Sequence, residues 1–242
     1  MGFISVEDQK DVCWKEELLH GFPDDIFIYK IAIHRHLTDL SSLKNLLDEH
    51  ELKKADRYFQ DFHRDRFIVR RAVLRQILGR HTNQRSESIR FGYNASKKPY
   101  LLSNDHQVSF NVSYSNDYIL IGVAPFAIGV DIEYLDPDFS FSAMLYESFG
   151  NEERTYITEK NSVKRFFKLW TRKEAFLKGT GQGIDDRFKE CPVLDGRHKL
   201  PSSFDNSNQD WYIKSFDIAN NYQASVAYTN PNLDCHYINW TL

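Results

Sequence analysis

Residues 108–133 read Val-Ser-Phe-Asn-Val-Ser-Tyr-Ser-Asn-Asp-Tyr-Ile-Leu-Ile-Gly-Val-Ala-Pro-Phe-Ala-Ile-Gly-Val-Asp-Ile-Glu. Their most apolar part, Ile119 to Val130, is too short to cross a bilayer, and Pro125 interrupts it. Two clusters of turn-forming residues, Ser115-Asn116-Asp117 and Ala124-Pro125-Phe126, divide the stretch. The pattern predicts a hairpin of Val108–Val112 with Tyr118–Val123, then a third strand over Ile128–Glu133. These residues therefore belong to a sheet, not to a membrane.

Working outward, Ile26 to His34 is apolar and β-branched and predicts a strand. Ser41 to Phe59 is mostly helical by the spacing of Leu43, Leu46, Leu47, Leu52, Ala55, Tyr58 and Phe59. A second helix is expected from about Asp61 to Leu78, with Gly79 as its stop, and a strand over Ile89 to Tyr93. On the other side, a long helix runs from Ser162 or Val163 to Lys178 and is ended by the glycines at 179, 181 and 183. Trp211–Ile218 and Tyr222–Tyr228 form a second hairpin about Asn220-Asn221, while Cys191 to Asn208 reads as irregular.

The second half echoes the first. Arg71-Ala72-Val73-Leu74-Arg75 stands where Glu174-Ala175-Phe176-Leu177-Lys178 stands later, and Asn116-Asp117-Tyr118 is matched by Asn220-Asn221-Tyr222. The expected class is α+β: a pseudo-two-fold duplication of an α/β unit, residues 1–124 and 125–242, with a ligand cleft between the halves.

Composition narrows the function. Aromatic residues make up 14% of the 242, ample for a packed core, which excludes wholesale disorder. A net charge of -3 gives no global basic field for nucleic acid. The three cysteines are scattered without a C-x-x-C, which fits a reducing cytoplasm rather than a disulfide framework or zinc knuckle. The residues from Met1 to Lys10 lack the basic and apolar regions of a secretory signal.

Asp131 and Glu133 stand at i and i+2 on a strand, so both point to one face, at the end of an apolar run where acids have no packing role. Two such charges repel unless a cation or donors neutralise them, and a hard divalent cation such as Mg²⁺ answers that need. The bland reading is a strand end emerging into water. Trp170, Glu174 and Lys178 recur at four-residue intervals on one helix face. Glu174 adds a third carboxylate and Lys178 a cation for phosphate; the bland alternative is a surface ion pair. His34 and His36 read as a same-face pair on a strand, more often capping than metal-binding.

With these segments in hand, the chain resembles the 4′-phosphopantetheinyl transferase family, and most closely its long, monomeric, surfactin-synthetase-activating type. The family's G-[IV]-D-[IV]-E is Gly129 to Glu133, and its W-x-x-K-E-[AS]-x-x-K is Trp170 to Lys178. G-K-P-x-[LI] is similar to Lys97-Lys98-Pro99-Tyr100-Leu101, and F-N-[IVL]-S-H-[ST] to Phe110 through Ser115. The resemblance implies transfer of 4′-phosphopantetheine from coenzyme A to a serine of an acyl or peptidyl carrier protein, with Mg²⁺ or Mn²⁺ and release of 3′,5′-ADP. It further implies a cytoplasmic monomer that needs neither nucleic acid nor membrane. Asp131, Glu133 and Glu174 would hold the metal. Glu174, or a metal-bound water, would take the serine proton, and Lys178 would neutralise phosphate. Lys98 and Pro99 match positions near the adenine and 3′-phosphate, and Ser113 and Tyr114 match positions near the phosphates. Lys54 and Arg64, from the basic cluster that also holds Lys53, Arg57 and Arg66, are the choices for the 3′-phosphate.

One position departs from the family, which usually has His where this chain has Tyr114. A phenol donates a hydrogen bond but brings no positive charge. The run from Phe139 to Tyr146 is either a carrier-docking surface, with Lys164 and Arg165 steering acidic carriers, or an amphipathic helix packed on the core. Two other functions compete: a non-catalytic coenzyme A or nucleotide-binding module, and a metal-dependent phosphohydrolase.

Overall fold

A computed structural model describes residues 2–16, 25–102, 108–160, 162–183, 186–204 and 209–241. Among them, five strands form one sheet and four form another. The first runs β7 (Ile128–Tyr134), β10 (Tyr222–Tyr228), β9 (Trp211–Ile218), β1 (Phe3–Asp8), β8 (Gly196–Lys199). The second runs β11 (Cys235–Asn239), β2 (Ile26–Ala32), β6 (Tyr118–Ala124), β5 (Ser109–Ser115). A short ribbon, β3 (Phe91–Tyr93) with β4 (Pro99–Leu101), stands apart.

Strand alternation decides how the layers stack. Phe27, Tyr29 and Ile31 of β2 face α1 (Leu40–Lys44), α2 (Glu49–Ala55) and α3 (Asp61–Thr82) in one core. Ile26 and Ile28 face the other way and meet Ile128, Val130 and Ile132 of β7 in a second core between the sheets. The five-stranded sheet is covered in turn by α4 (Ser142–Ser148), α5 (Asn151–Glu159) and α6 (Ser162–Thr180). Each half is thus helices against a sheet, and the two sheets share an apolar layer. The termini cross over: β1 pairs parallel with β9, and β11 parallel with β2.

The hairpins and the two long helices lie where their periodicity predicts. Five expectations change. Gly79 lies inside α3, which runs on to Thr82 and ends at Asn83 in the left-handed region. Ser41 to Phe59 is two helices, because Asp48 begins α2 with a reciprocal capping box to Glu51. The strand expected from Ile89 shrinks to Phe91–Tyr93. His34 and His36 lie in a 3₁₀ segment, Ile33–Asp39, not on a strand. The stretch expected to be irregular contains β8, whose Gly-Arg-His-Lys has no apolar alternation and pairs only because distant β1 supplies the ladder; residues 205–208 of it lie outside the described residues. No helix among the described residues is long and apolar enough to cross a membrane.

Candidate active site

Two glycines place α6 against β7. A Cβ at Gly129 would stand 2.0 Å from the Ala175 carbonyl oxygen and 2.3 Å from the Gly179 nitrogen. Only a residue without a side chain lets strand and helix backbones approach so closely. Gly179 is still inside α6 rather than its stop, and a Cβ there would strike the Trp211 ring at 2.6 Å. This contact carries Glu174 and Lys178 to the face of β7 that bears Asp131 and Glu133.

The edge of β7 is completed by side chains of β5, the outer strand of the other sheet. Asn111 Oδ1 accepts from the Val130 N–H at 2.9 Å, and Ser115 Oγ accepts from the Tyr134 N–H at 3.0 Å. Ser113 Oγ donates to Asp131 Oδ1 at 2.8 Å, and Ser115 Oγ donates to Glu133 Oε2 at 3.0 Å. The i, i+2, i+4 spacing of Asn111, Ser113 and Ser115 puts all three on one face of β5, which is why a single short motif can satisfy a neighbouring strand. Lys178 Nζ then donates to Asp131 Oδ1 at 2.5 Å and to Ser113 Oγ at 3.1 Å.

The electrostatics follow from burial. Glu133 is pushed up to about 7 by burial and then by the charge of Asp131. Glu174 is pushed up to about 7 by burial and then by Asp131. Burial also drives Asp131 up, against the pull of Lys178 and Ser113. Burial alone would lower Lys178, but Asp131, Glu174 and Glu133 outweigh it and hold the ammonium charged. The three carboxylates are therefore near enough to feel one another. They are not a closed cage: among the described residues no group of three His, Cys, Asp or Glu side chains is gathered tightly enough to hold a metal alone. The donors suit Mg²⁺ nonetheless, since that ion takes one or two carboxylates and completes its shell with water and phosphate oxygens. Asp131 Oδ2 is buried with no hydrogen-bond partner among the described residues, a lone pair set that a hard cation satisfies.

Residues 127–227 match the family model described as the 4′-phosphopantetheinyl transferase superfamily, and residues 35–125 match that of 4′-phosphopantetheinyl transferase, N-terminal. The chain is 32% identical over 167 residues to the 4′-phosphopantetheinyl transferase HetI of Nostoc sp., covering 66% of this chain and 70% of that protein. The chain belongs to the 4′-phosphopantetheinyl transferase superfamily. It is also 29% identical over 197 residues to a putative 4′-phosphopantetheinyl transferase of Synechocystis sp., covering 76% and 79%. It is 24% identical over 215 residues to the 4′-phosphopantetheinyl transferase Sfp of Bacillus subtilis, covering 85% and 93%.

Lys98, Tyr114, Lys54 and Arg64 find their partners away from the three carboxylates. Lys98 Nζ donates to the carbonyls of Gly179 at 3.1 Å and Ile128 at 3.4 Å, and burial pushes its pKa down to about 8. Together with Asn94 Nδ2 on the Gly181 carbonyl and Ser96 Oγ on the Gln182 carbonyl, it ties the turn before Pro99 to the exit of α6. Tyr114 leaves β5 on the face opposite Ser113 and lies under the Arg70 guanidinium. Lys54 Nζ lies 5.5 Å from the Phe67 ring centroid, and Arg64 is paired with Asp61 and Asp65. Phe139, Phe141, Met144 and Leu145 pack into the α6 core, leaving Tyr146 exposed. Lys164 bonds Asp217, and Arg165 bonds Glu159 and the Tyr156 carbonyl.

Sequence reasoning missed Asn111 and Ser115, though both lie in a quoted motif; their signal was the alternation with Ser113. It also gave Lys173 no role. That ammonium is fully buried and donates to the carbonyls of Phe188, Lys189 and Cys191 and to Glu153, so it anchors the segment after α6 rather than touching substrate.

Proposed function

We propose that this chain moves 4′-phosphopantetheine from coenzyme A to a serine hydroxyl of an acyl or peptidyl carrier protein, with Mg²⁺, or Mn²⁺ in its place, and releases 3′,5′-ADP. The observation that carries this reading is the set of three mutually repelling carboxylates, two buried and Glu133 half-buried, beside one retained ammonium, at the seam of the two sheets. A divalent cation held by Asp131, Glu133 and Glu174 would supply charge neutralisation at the diphosphate. Lys178 orients and neutralises phosphate oxygens as a point charge. Glu174, with a pKa raised to about 7, is suited to take the serine proton. The serine oxygen then bonds to the β-phosphorus, the bond from that phosphorus to the bridging oxygen breaks, and 3′,5′-ADP departs with the electron pair.

In this reading residues 1–124 form the adenine and 3′-phosphate side, and residues 125–242 the metal and catalytic side. Lys54, Arg64, Lys98, Pro99, Ser113, Tyr114 and Lys178 contact coenzyme A, with Arg64 exchanging its carboxylate partners for phosphate. The chain works as a cytoplasmic monomer. The test is the mass of purified apo carrier proteins after incubation with coenzyme A. The expected outcome is a phosphopantetheine increment that requires Mg²⁺ and is lost in Glu174→Gln and Asp131→Ala. An undiminished increment with Glu174→Gln overturns the assignment of the base. Release of 3′,5′-ADP without a carrier overturns the transfer in favour of hydrolysis.

A further inference from the structure

Between residues 64 and 75 of α3, four arginines are charge-compensated. Arg64 pairs with Asp61 and Asp65, Arg66 faces Asp117 at 3.8 Å, Arg71 pairs with Glu51, and Arg75 pairs with Glu51 and Asp48. Arg70 has no carboxylate partner among the described residues. Its guanidinium carbon instead lies 3.7 Å from the centroid of the Tyr114 ring. It is partly buried, and burial draws its pKa below the ordinary arginine value.

A ring face recovers only part of what an ion loses on leaving water. The guanidinium is thus held near β5 with charge left over. Tyr114 is 55% exposed, so the pair opens to solvent. The alternation of β5 separates it from the carboxylates. Phe110 and Val112 share the α3 side with Tyr114, whereas Asn111, Ser113 and Ser115 face β7. Lys178 serves an anion on the β7 side, so Arg70 meets a different one.

Coenzyme A carries two separate phosphate centres, the diphosphate and the 3′-monoester. We propose that Arg70, stacked on Tyr114, binds the 3′-phosphate monoester and sets the preference for coenzyme A over its dephospho form. This rests on the proposed transfer reaction and deepens it. It also accounts for the phenol at position 114: the positive charge absent from Tyr114 is carried by the arginine lying on it.

The experiment compares coenzyme A with 3′-dephospho-coenzyme A as donors, using wild type, Arg70→Ala and Arg70→Gln. Loss of a charge-assisted phosphate contact should raise KM for coenzyme A roughly 10–100-fold, with kcat within about threefold. KM for the dephospho donor should not move, so its turnover doubles as the check on folding. Equal rises for both donors, no rise for either, or a wild type without preference overturns the proposal. Loss of folding in both variants overturns it too, since Arg70 is then structural. If wild type transfers from neither donor, the transfer reading fails separately. Calorimetric binding of 3′,5′-ADP against 5′-AMP then reads the same contrast: tighter binding of 3′,5′-ADP that Arg70→Ala removes supports the proposal, and equal binding overturns it.

Discussion

Gly129→Ala tests whether the approach of α6 to β7 makes the site. The added Cβ would meet Ala175 O at 2.0 Å and Gly179 N at 2.3 Å, both backbone atoms of α6. No side chain can swing aside. Ordinary contact begins near 3.4 Å, so strand and helix must part locally by about 1.4 Å in an interior packed as densely as a crystal. Overpacking of this kind costs about 1–3 kcal/mol, and a clash with backbone belongs at the upper end, about 3 kcal/mol. The same movement lengthens the 2.5 Å contact of Lys178 with Asp131, and a displacement near 1 Å at reacting groups costs on the order of 100-fold in rate. Urea denaturation reads the first effect, and carrier modification at a temperature where the variant stays folded reads the second. Gly150→Ala is the control, because its Cβ would find its nearest neighbour, Glu153 Oε2, at 3.9 Å; it should cost less than about 1 kcal/mol. If Gly129→Ala keeps its stability within about 0.5 kcal/mol and its rate within about threefold, the close approach does not organise the site.

Three further outcomes are expected. Asn111→Ala strips the Val130 N–H of its acceptor and should destabilise the protein by about 1–3 kcal/mol; an unchanged urea midpoint would mean that another group caps the β7 edge. Lys173→Met leaves Glu153 and three carbonyls unpaired in the interior and should cost about 3–5 kcal/mol, measured by thermal unfolding, with kcat little affected in whatever remains folded. His81 is held down to about 4 by burial and shares a 2.7 Å hydrogen bond with Tyr29. Its folded pKa lies below the unfolded value of about 6.5, so the unfolded chain binds the extra proton between those limits. The stability this neutral imidazole contributes is complete above pH 6.5 and lost as pH falls toward 4, by about 3 kcal/mol. His81→Gln should flatten that acid limb in a series of denaturation curves, and an identical limb in both proteins would assign it to other groups.

Local pattern was enough for the elements whose order is carried by neighbours in the chain. The apolar run divided at Pro125, the two hairpins and the 3.6-residue stripe of α6 are legible because each strand or helix repeats its own period. Strands that exist only through a distant partner were not. β8 lacks alternation and depends on β1, and β11 on β2. The division of Ser41–Phe59 depended on one capping aspartate, Asp48, within an otherwise continuous leucine spacing.

The chemistry of the centre is legible along the chain: which residues are acids, which is the lysine, and that their spacing places Asp131 with Glu133 on one strand face and Glu174 with Lys178 on one helix face. Spacing is a property of a single element, so it could not say how close those faces lie. Tertiary structure decided that through Gly129 and Gly179, through β5 side chains closing the edge of β7, and through burial, which raises the pKa of the acids and leaves Lys178 charged among them. The physical reason is that periodicity acts along the chain, while close packing and desolvation act between segments that meet only when folded.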